Sequence, residues 1–272
     1  MKKILCILFL LATTLNCKEQ YRDIEDPGWK ENEVTNRITL MTYNVKYCSP
    51  YNSSTPDVDA VAAIIRQAKP DVVFLQELDR NTTRSGKVDQ LALLSAKTDL
   101  PYTYYGKAIA YQGGESGLGI LSRYALTDPQ TYHLPRVELG DTYVSYRIMI
   151  KANITLNDKK ITIAGTHLEL TQANRDLQVP EINRILSSSN YPTILAGDMN
   201  ATPENHTMQT FFGYGFKKTC TTGCNTIPSG APNREIDYIL YRPEVKFSVV
   251  SHLVMQTLAS DHLPIVSVLD LN

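Results

Sequence analysis

The sequence has no excess of basic charge. Of its 272 residues, 27 are lysine or arginine and 28 are aspartate or glutamate, so the formal net charge is −1. Proteins that bind a nucleic-acid backbone over a wide area usually carry a basic face, and this composition indicates none. The balance argues against a broad nucleic-acid surface, although a local basic groove or a bound cation is compatible with it.

The chain also lacks internal repeats, low-complexity tracts and a hydrophobic run long enough to span a bilayer. A short apolar run, ILCILFLL, follows Lys2 and Lys3. This order of charge and apolar residues predicts an export signal over residues 1–16, and the alternative is a buried N-terminal strand. Removal of the leader would leave 25 basic and 28 acidic residues.

Cysteine is scarce, and one of the five cysteines directly follows the leader. The segment TLNC, ending at Cys17, resembles a bacterial lipoprotein cleavage box, although Asn16 stands where a smaller residue is usual. The resemblance implies a lipid anchor at Cys17 that holds the protein at a membrane surface, with residues 17–36 as a polar tether. We therefore expect a cell-envelope protein, either periplasmic or surface-exposed.

A second pair of cysteines, Cys220 and Cys224, lies in the turn-rich segment KTCTTGCNT. Outside the cytoplasm this spacing predicts a local disulfide. Zinc is the alternative, but a zinc site needs two further ligands and no histidine or cysteine is close in sequence. Cys48 remains unassigned.

Short apolar runs rich in β-branched residues recur along the chain, and their alternation gives several of them two unlike faces. This pattern predicts two β-sheets packed face to face with helices outside, in one domain over residues 37–272. The predicted strands are Ile38 to Val45, Val72 to Glu77, Leu118 to Ser122, Tyr143 to Leu156, Lys160 to His167, Thr193 to Asp198, Ile236 to Tyr241, Phe247 to Met255 and Leu263 to Leu269.

Three helices are predicted between these strands. The first begins at Thr55-Pro56-Asp57, with Pro56 at the first helical position and apolar residues following at helical spacing. The second spans about residues 88–97. The third begins near Ala173, with Pro180 as a kink or restart.

Polar residues that bear chemistry follow or precede these apolar strands, where neighbouring strands can bring them to one rim. A single residue of this kind is more often a turn or cap residue, but eight together are not plausibly all structural. Carboxylate and amide oxygens suit Mg²⁺, whereas zinc prefers histidine and cysteine. The eight residues are Asn44, Glu77, His167, Asp198, Asn200, Asp237, Asp261 and His262.

The motifs MTYNVK, VVFLQE, GLGILSRY, GTHLEL, LAGDMNATP, REIDYILY and SDHLPIVSVL occur in this order over residues 38–270. Together they resemble the endonuclease/exonuclease/phosphatase superfamily, which includes deoxyribonucleases, abasic-site endonucleases, neutral sphingomyelinases and inositol polyphosphate 5-phosphatases. The resemblance implies an α+β fold, a four-layer α/β/β/α sandwich of two mixed sheets flanked by helices. It also implies a monomeric, metal-dependent phosphoric ester hydrolase that uses Mg²⁺, with Mn²⁺ as a substitute.

The resemblance further implies a role for each of the eight residues. Glu77 would be the main metal ligand, with Asn44 and Asp261 completing the metal side. Asp198 would align or deprotonate the attacking water, and Asn200 would hold that water or a phosphate oxygen. His262, oriented by Asp237, would share the acid–base work, and His167 would donate to the phosphoryl group.

Three other polar residues are weaker candidates for a functional role. Arg147 could reach a phosphate or extend to solvent, and Arg175 and Gln178 could line the groove or cover a helix. Substrate choice is expected to lie in loops 100–117, 125–142 and 202–233, which lack a long basic or aromatic insertion.

The substrate remains open at this stage. A small phosphorylated or phosphodiester compound is favoured, and the alternatives are DNA or RNA cleavage by a nuclease and sphingomyelinase-like lipid hydrolysis. A surface-binding module without turnover and a zinc hydrolase are the competing classes.

Overall fold

The computed structural model describes residues 36–140 and 143–272. The predicted signal, Cys17 and all but the last residue of the tether lie outside these described residues. No helix in the described part of the chain is long and apolar enough to cross a membrane.

The first β-sheet has six strands: β1 (Arg37–Asn44), β2 (Val72–Arg80), β3 (Tyr102–Tyr111), β4 (Gly114–Ser122), β11 (Phe247–Val254) and β12 (Ile265–Leu271). Their order across the sheet is β11-β12-β1-β2-β4-β3. Strands β1 and β2 are parallel and the other neighbours are antiparallel, so the sheet is mixed.

The second β-sheet also has six strands: β5 (Thr127–His133), β6 (Ile148–Leu156), β7 (Lys159–His167), β8 (Thr193–Asp198), β9 (Lys217–Lys218) and β10 (Asp237–Arg242). Their order is β5-β6-β7-β8-β10-β9. Here β7 and β8 form the parallel pair, and the remaining pairs are antiparallel.

The two sheets pack face to face around an apolar core. Phe74 and Ile265 of the first sheet share a buried cluster with Ile150, Ile163 and Ile194 of the second. Since each inner strand is buried on this face, removal of these side chains from water supplies a large part of the folding free energy.

Four α-helices within the described residues cover the outer faces and complete four layers. Helices α1 (Val58–Ala68) and α2 (Gln90–Thr98) pack on the first sheet. Helices α3 (Gln172–Leu186) and α4 (His206–Gly213) pack on the second sheet. The predicted α/β/β/α sandwich is thereby confirmed.

The predicted helices occur with shifted boundaries. The Asp57 side chain caps α1 by accepting from the Ala60 backbone N–H at 2.9 Å, so the helix begins after Asp57 and Pro56 is not its first residue. Helix α3 continues through Pro180 without a restart. The buried Val179 and Ile182 on either side anchor that turn to the core.

Two of the predicted loops contain β-strands. Residues 100–117 contain β3 and the start of β4, and residues 125–142 contain β5. Both β3 and β5 are edge strands with many exposed side chains, so they lack the buried alternation that marks a strand in sequence. Residues 202–233 contain α4 and the two-residue β9.

Candidate active site

Strand topology brings the predicted residues to one rim of the sandwich. In the parallel pair β7 and β8, His167 lies opposite Asp198, and both residues end their strands. Strand β10 runs antiparallel to β8 and begins at the same rim, so Asp237 also lies opposite Asp198. Asn44 ends β1 in the other sheet.

Asp198 is the centre of this group. Its Oδ2 accepts a hydrogen bond from Asn44 Nδ2 at 3.1 Å, which joins the two sheets at the rim. The same oxygen lies 3.4 Å from His167 Nε2 and 3.9 Å from His262 Nε2. Its Oδ1 accepts from the Asn200 backbone N–H at 2.9 Å. One buried carboxylate therefore contacts four of the predicted site residues.

The backbone around Asp198 is shaped by its neighbours. Gly197 has φ of +145°, and a Cβ there would lie 1.9 Å from the Thr166 carbonyl oxygen. Asn200 has φ of +49°, and its Nδ2 donates to the Leu168 carbonyl at 2.9 Å. Gly197 allows β7 and β8 to approach closely. The Asn200 side chain connects the turn after β8 to Leu168, the residue directly after β7.

Glu77 departs from the predicted strand end, because β2 continues to Arg80. The pairing of β2 with β4 shifts register between Leu75 and Leu78, and Glu77 has φ of +57° within this bulge. Bulges re-aim a side chain and often lie beside functional sites. Here the bulge brings Glu77 Oε1 to 3.1 Å from Asn44 Nδ2.

His262 and Asp237 form a buried pair. His262 Nδ1 lies 2.9 Å from Asp237 Oδ2, which also accepts a 2.5 Å hydrogen bond from Thr226 Oγ1. Asp237 Oδ1 is buried and has no hydrogen-bond partner in the described part of the chain. The carboxylate thus holds the imidazole so that Nε2 faces Asp198.

The guanidinium of Arg147 contacts the imidazole of His167. Arg147 Nη1 lies 3.1 Å from His167 Nδ1, and Arg147 Nε donates to the buried Glu169 at 3.3 Å. Because arginine can only donate, His167 Nδ1 accepts, and the proton of the neutral ring is on Nε2, facing Asp198. Arg147 precedes β6 and is not mid-strand as predicted.

Asp261 lies beside the Asn44 end of the site. Its Oδ2 is 3.4 Å from Lys46 Nζ, and its Oδ1 accepts from Ser260 Oγ at 3.3 Å. The same Ser260 hydroxyl is 2.7 Å from the Asn44 carbonyl oxygen. All eight residues therefore belong to one contiguous set.

The two histidines and Asp198 have displaced pKa values. Burial, followed by the charge of Asp237, raises the pKa of Asp198 to about 7. Burial lowers the pKa of His262, but the charge and hydrogen bond of Asp237 outweigh it and raise the pKa to about 10. Burial, followed by the positive Arg147, lowers the pKa of His167 well below its ordinary value. The site thus places a neutral imidazole and an imidazolium on the same carboxylate.

Two groups of side chains around Asp198 could hold a cation. One comprises Asp198, Asp237 and His262, whose ligand atoms lie within 4.8 Å of one another. The other is the Asn44 side of the site, where the carboxylates of Glu77 and Asp261 and the amide oxygen of Asn44 are hard donors of the type that Mg²⁺ prefers. As placed, Asn44 turns its nitrogen toward Glu77 and accepts from the Lys46 backbone N–H at 3.2 Å.

Arg175 and Gln178 support the segment after β7. Arg175 Nη1 donates to the Glu169 carbonyl at 3.0 Å, and Gln178 Oε1 accepts from the Glu169 backbone N–H at 3.0 Å. Both are buried, so their contacts hold the chain that follows His167.

The predicted disulfide between Cys220 and Cys224 is confirmed, with their Cα atoms 5.9 Å apart. His252 lies close enough to join the two sulfurs in a group of possible ligands, a proximity that sequence distance concealed. Cys48 is buried and forms no disulfide within the described residues.

Several contacting residues were not expected from the sequence, namely Lys46, Glu169, Thr226 and Ser260. None has a pattern that separates it from ordinary turn and loop residues. Glu169 had the clearest available signal, because it lies two residues after His167 in GTHLEL.

These side chains form one buried polar group at the rim of a two-sheet sandwich. The chain belongs to the endonuclease/exonuclease/phosphatase family, whose model matches residues 41–262. This family covers phosphatases, nucleases and phosphodiesterases, is generally hydrolytic and generally depends on divalent metal ions. The comparison with curated proteins found no match.

Solved structures share the fold. An endonuclease/exonuclease/phosphatase from Beutenbergia cavernae DSM 12333 is 20% identical with a TM-score of 0.72, over 87% of this chain and 72% of that one. A mannosyl-6-phosphatase of Bacteroides thetaiotaomicron VPI-5482 is 16% identical with a TM-score of 0.68, over 85% and 99% of the two chains. The human Nocturnin catalytic domain, with bound sulfate, is 18% identical with a TM-score of 0.66, over 87% and 94%.

Proposed function

We propose that this protein is a Mg²⁺-dependent hydrolase of phosphate esters that uses in-line attack by water. The observation that carries the proposal is the environment of Asp198, a buried carboxylate between two histidines of opposite protonation preference. Phosphoryl transfer to water requires a general base together with neutral and cationic hydrogen-bond donors, and these groups meet here around one carboxylate.

Each residue has a distinct task in this proposal. Asp198 accepts the proton of the attacking water, and a pKa near 7 suits a general base at neutral pH. His167 donates its Nε2 proton in a hydrogen bond to a phosphoryl oxygen. His262, charged through Asp237, stabilises the developing negative charge and can protonate the leaving oxygen. Asn200 orients the water or a phosphate oxygen.

The proposed cation site is the Glu77 side, with Asn44 and Asp261, directly or through water. A bound Mg²⁺ would neutralise charge on the phosphoryl oxygens. The group of Asp198, Asp237 and His262 is a poorer cation site, because Asp237 Oδ2 already bonds Thr226 and His262 Nδ1. Mn²⁺ is expected to substitute because it prefers the same oxygen ligands.

A small phosphorylated substrate is favoured over a polymer. A groove leads from Glu77 and His167 between residues 108–109 and 116–118 on one side and residues 145–148 on the other. Its lining includes the apolar Ala108, Ile109, Leu118 and Ile148, and Arg147 contributes a guanidinium. The fold neighbour that acts on mannosyl 6-phosphate supports the same class, whereas nuclease or lipid phosphodiesterase activity remains the alternative.

The test is hydrolysis of bis-p-nitrophenyl phosphate and p-nitrophenyl phosphate by the purified protein after chelation, with Mg²⁺, Mn²⁺ or Zn²⁺ added back. We expect Mg²⁺ and Mn²⁺ to restore activity, and Asp198→Asn to lower it roughly 10²- to 10⁴-fold, because an amide cannot accept the proton. Asp270→Asn, at the opposite end of the first sheet, is the control. No hydrolysis by the wild type, or undiminished hydrolysis by Asp198→Asn, would refute the mechanism.

A substrate screen with Mg²⁺ would then separate the substrate classes. Duplex DNA, RNA, sphingomyelin, phosphoinositides and sugar phosphates are the panel. We expect turnover of a small phosphate ester to exceed that of the polymers and of the lipids. Preferred cleavage of DNA or RNA would identify a nuclease.

We also infer export to the cell envelope. The leader pattern over residues 1–16, Cys17 after it and a disulfide suited to an oxidising compartment support this inference. The protein is expected in the membrane fraction, and Cys17→Ser should release it into the soluble fraction. A cytoplasmic wild-type protein would contradict export.

A further inference from the structure

The short loop of residues 226–229 bonds the Asp237 side chain and the main chain on both sides of His262. We propose that Thr226 is a positioning residue that fixes the Asp237 carboxylate, and through it His262, in the geometry needed for turnover. The proposal rests on the proposed function, because it assigns His262 a part in catalysis.

The side-chain contact is the first support. Thr226 is fully buried, and its hydroxyl donates to Asp237 Oδ2 at 2.5 Å. His262 Nδ1 uses the same oxygen, whereas Asp237 Oδ1 is buried without a partner in the described chain. Both hydrogen bonds of the carboxylate therefore converge on one oxygen. The Thr226 hydroxyl defines which oxygen faces the imidazole.

The backbone of Thr226 supplies the second support. Its carbonyl accepts from the Leu263 N–H at 2.7 Å, directly after His262, and its own N–H donates to the Arg234 carbonyl at 2.8 Å. Thr226 is thus bonded to the Asp237 side chain and to the main chain that carries His262. A change in its position would move the two partners relative to each other.

The other end of the loop holds the residues before His262. Ser229 donates from its backbone N–H to the Asp261 carbonyl at 2.8 Å and from its hydroxyl to the Ser260 carbonyl at 2.7 Å. Ser260 in turn donates to the Asn44 carbonyl at 2.7 Å. The segment carrying Asp261 and His262 is therefore bonded to the loop on both sides, which leaves little freedom for the imidazole.

Loss of the hydroxyl has a specific expected consequence. Without Thr226 Oγ1, the carboxylate loses one of its two partners and can rotate to exchange Oδ2 for Oδ1. His262 then loses its fixed orientation in the transition state, whereas substrate contacts are unchanged. The turnover number should fall while the Michaelis constant stays nearly constant.

The test compares Thr226→Val, Thr226→Ser and the control Thr219→Val. Thr219 is a buried threonine whose hydroxyl accepts from Ser267 Oγ at 2.8 Å, whereas the Thr226 hydroxyl donates to Asp237. With bis-p-nitrophenyl phosphate and Mg²⁺, we expect Thr226→Val to lower kcat roughly 10- to 100-fold, in the range typical for groups that orient site residues. KM should change less than about twofold, and Thr226→Ser and Thr219→Val should keep near wild-type kcat.

A readout that does not need activity accompanies the kinetics. The proton shared by His262 Nδ1 and Asp237 should give a downfield NMR resonance in the wild type and Thr226→Ser, and lose or shift it in Thr226→Val. Wild-type kcat in Thr226→Val, or equal losses in Thr226→Val and Thr219→Val with an unchanged resonance, would overturn the proposal. An inactive wild type whose resonance still depends on Thr226 would instead refute the proposed function alone.

Discussion

Charge and protonation at single residues decide what this site can do. Asp198 and His262 are 3.9 Å apart, and the pKa of one is raised to about 7 while that of the other is raised to about 10. At neutral pH the acid, His262, is therefore protonated, while the base, Asp198, is near the midpoint of its titration. Burial and then the negative charge of Asp237 raise the pKa of Asp198, whereas the charge and hydrogen bond of Asp237 outweigh burial and raise the pKa of His262.

The raised pKa of His262 predicts a pH-dependent contribution to stability. Its ordinary pKa is 6.5 and its folded pKa is about 10, so the stabilisation is complete below pH 6.5 and is lost as pH rises through 10. The difference in unfolding free energy between wild type and His262→Gln should shrink over that range in metal-free buffer. Urea unfolding at several pH values measures it, and a difference that grows with pH would contradict the assignment.

Arg147 is predicted to set the proton position on His167. Arg147→Met should remove the donor at His167 Nδ1, allow the other tautomer and lower turnover about tenfold, near the lower end for groups that orient a site residue. The ¹⁵N shifts of the two ring nitrogens measure the tautomer directly. Arg37→Met is the matched control, since Arg37 bonds a carboxylate at the far end of β1. An unchanged tautomer in Arg147→Met would exclude this role.

Backbone geometry within strands matters at the element scale. The bulge in β2 turns Glu77 toward Asn44, and the glycine in β8 allows close approach to β7 beside His167 and Asp198. Both irregularities lie within about one residue of predicted site residues. Regular strands would not bring these side chains to the same rim.

Gly197→Ala tests the close approach of β7 and β8. The added Cβ would lie 1.9 Å from the Thr166 carbonyl oxygen, so the strands must separate. We expect a loss of about 1–3 kcal/mol or more, as in overpacked cores. Gly213→Ala, with nothing within 4 Å of its Cβ, should be close to neutral. Thermal and urea unfolding measure both, and equal stabilities would contradict the argument.

The same irregularities limited what sequence could predict. All nine predicted strands are present, and eight of them, all but the edge strand β11, bury β-branched residues that made the strands and the polar residues at their ends identifiable. The bulge at Glu77 depends on pairing with β4, and the edge strands β3 and β5 expose many side chains and therefore lack the buried alternation that marks a strand in sequence. Contacts of Thr226, Lys46 and Ser260 likewise arise only when separate loops meet.

At the scale of the whole molecule, two sheets from distant parts of the chain share one core and one functional rim. Asn44 comes from the first sheet and Asp198 from the second, and their hydrogen bond spans the interface between the sheets. The site is therefore complete only when the sandwich has assembled. Substitutions deep in the shared core are expected to affect activity through folding and not through chemistry.

The most direct test of a single reactive centre is a crystal structure of the protein with Mn²⁺ and inorganic phosphate. The account predicts anomalous density for Mn²⁺ at Glu77, and a phosphate within about 2.7–3.2 Å of both His167 and His262, beside Asp198. Mn²⁺ held only by Asp198, Asp237 and His262, or a phosphate bound away from this rim, would contradict it.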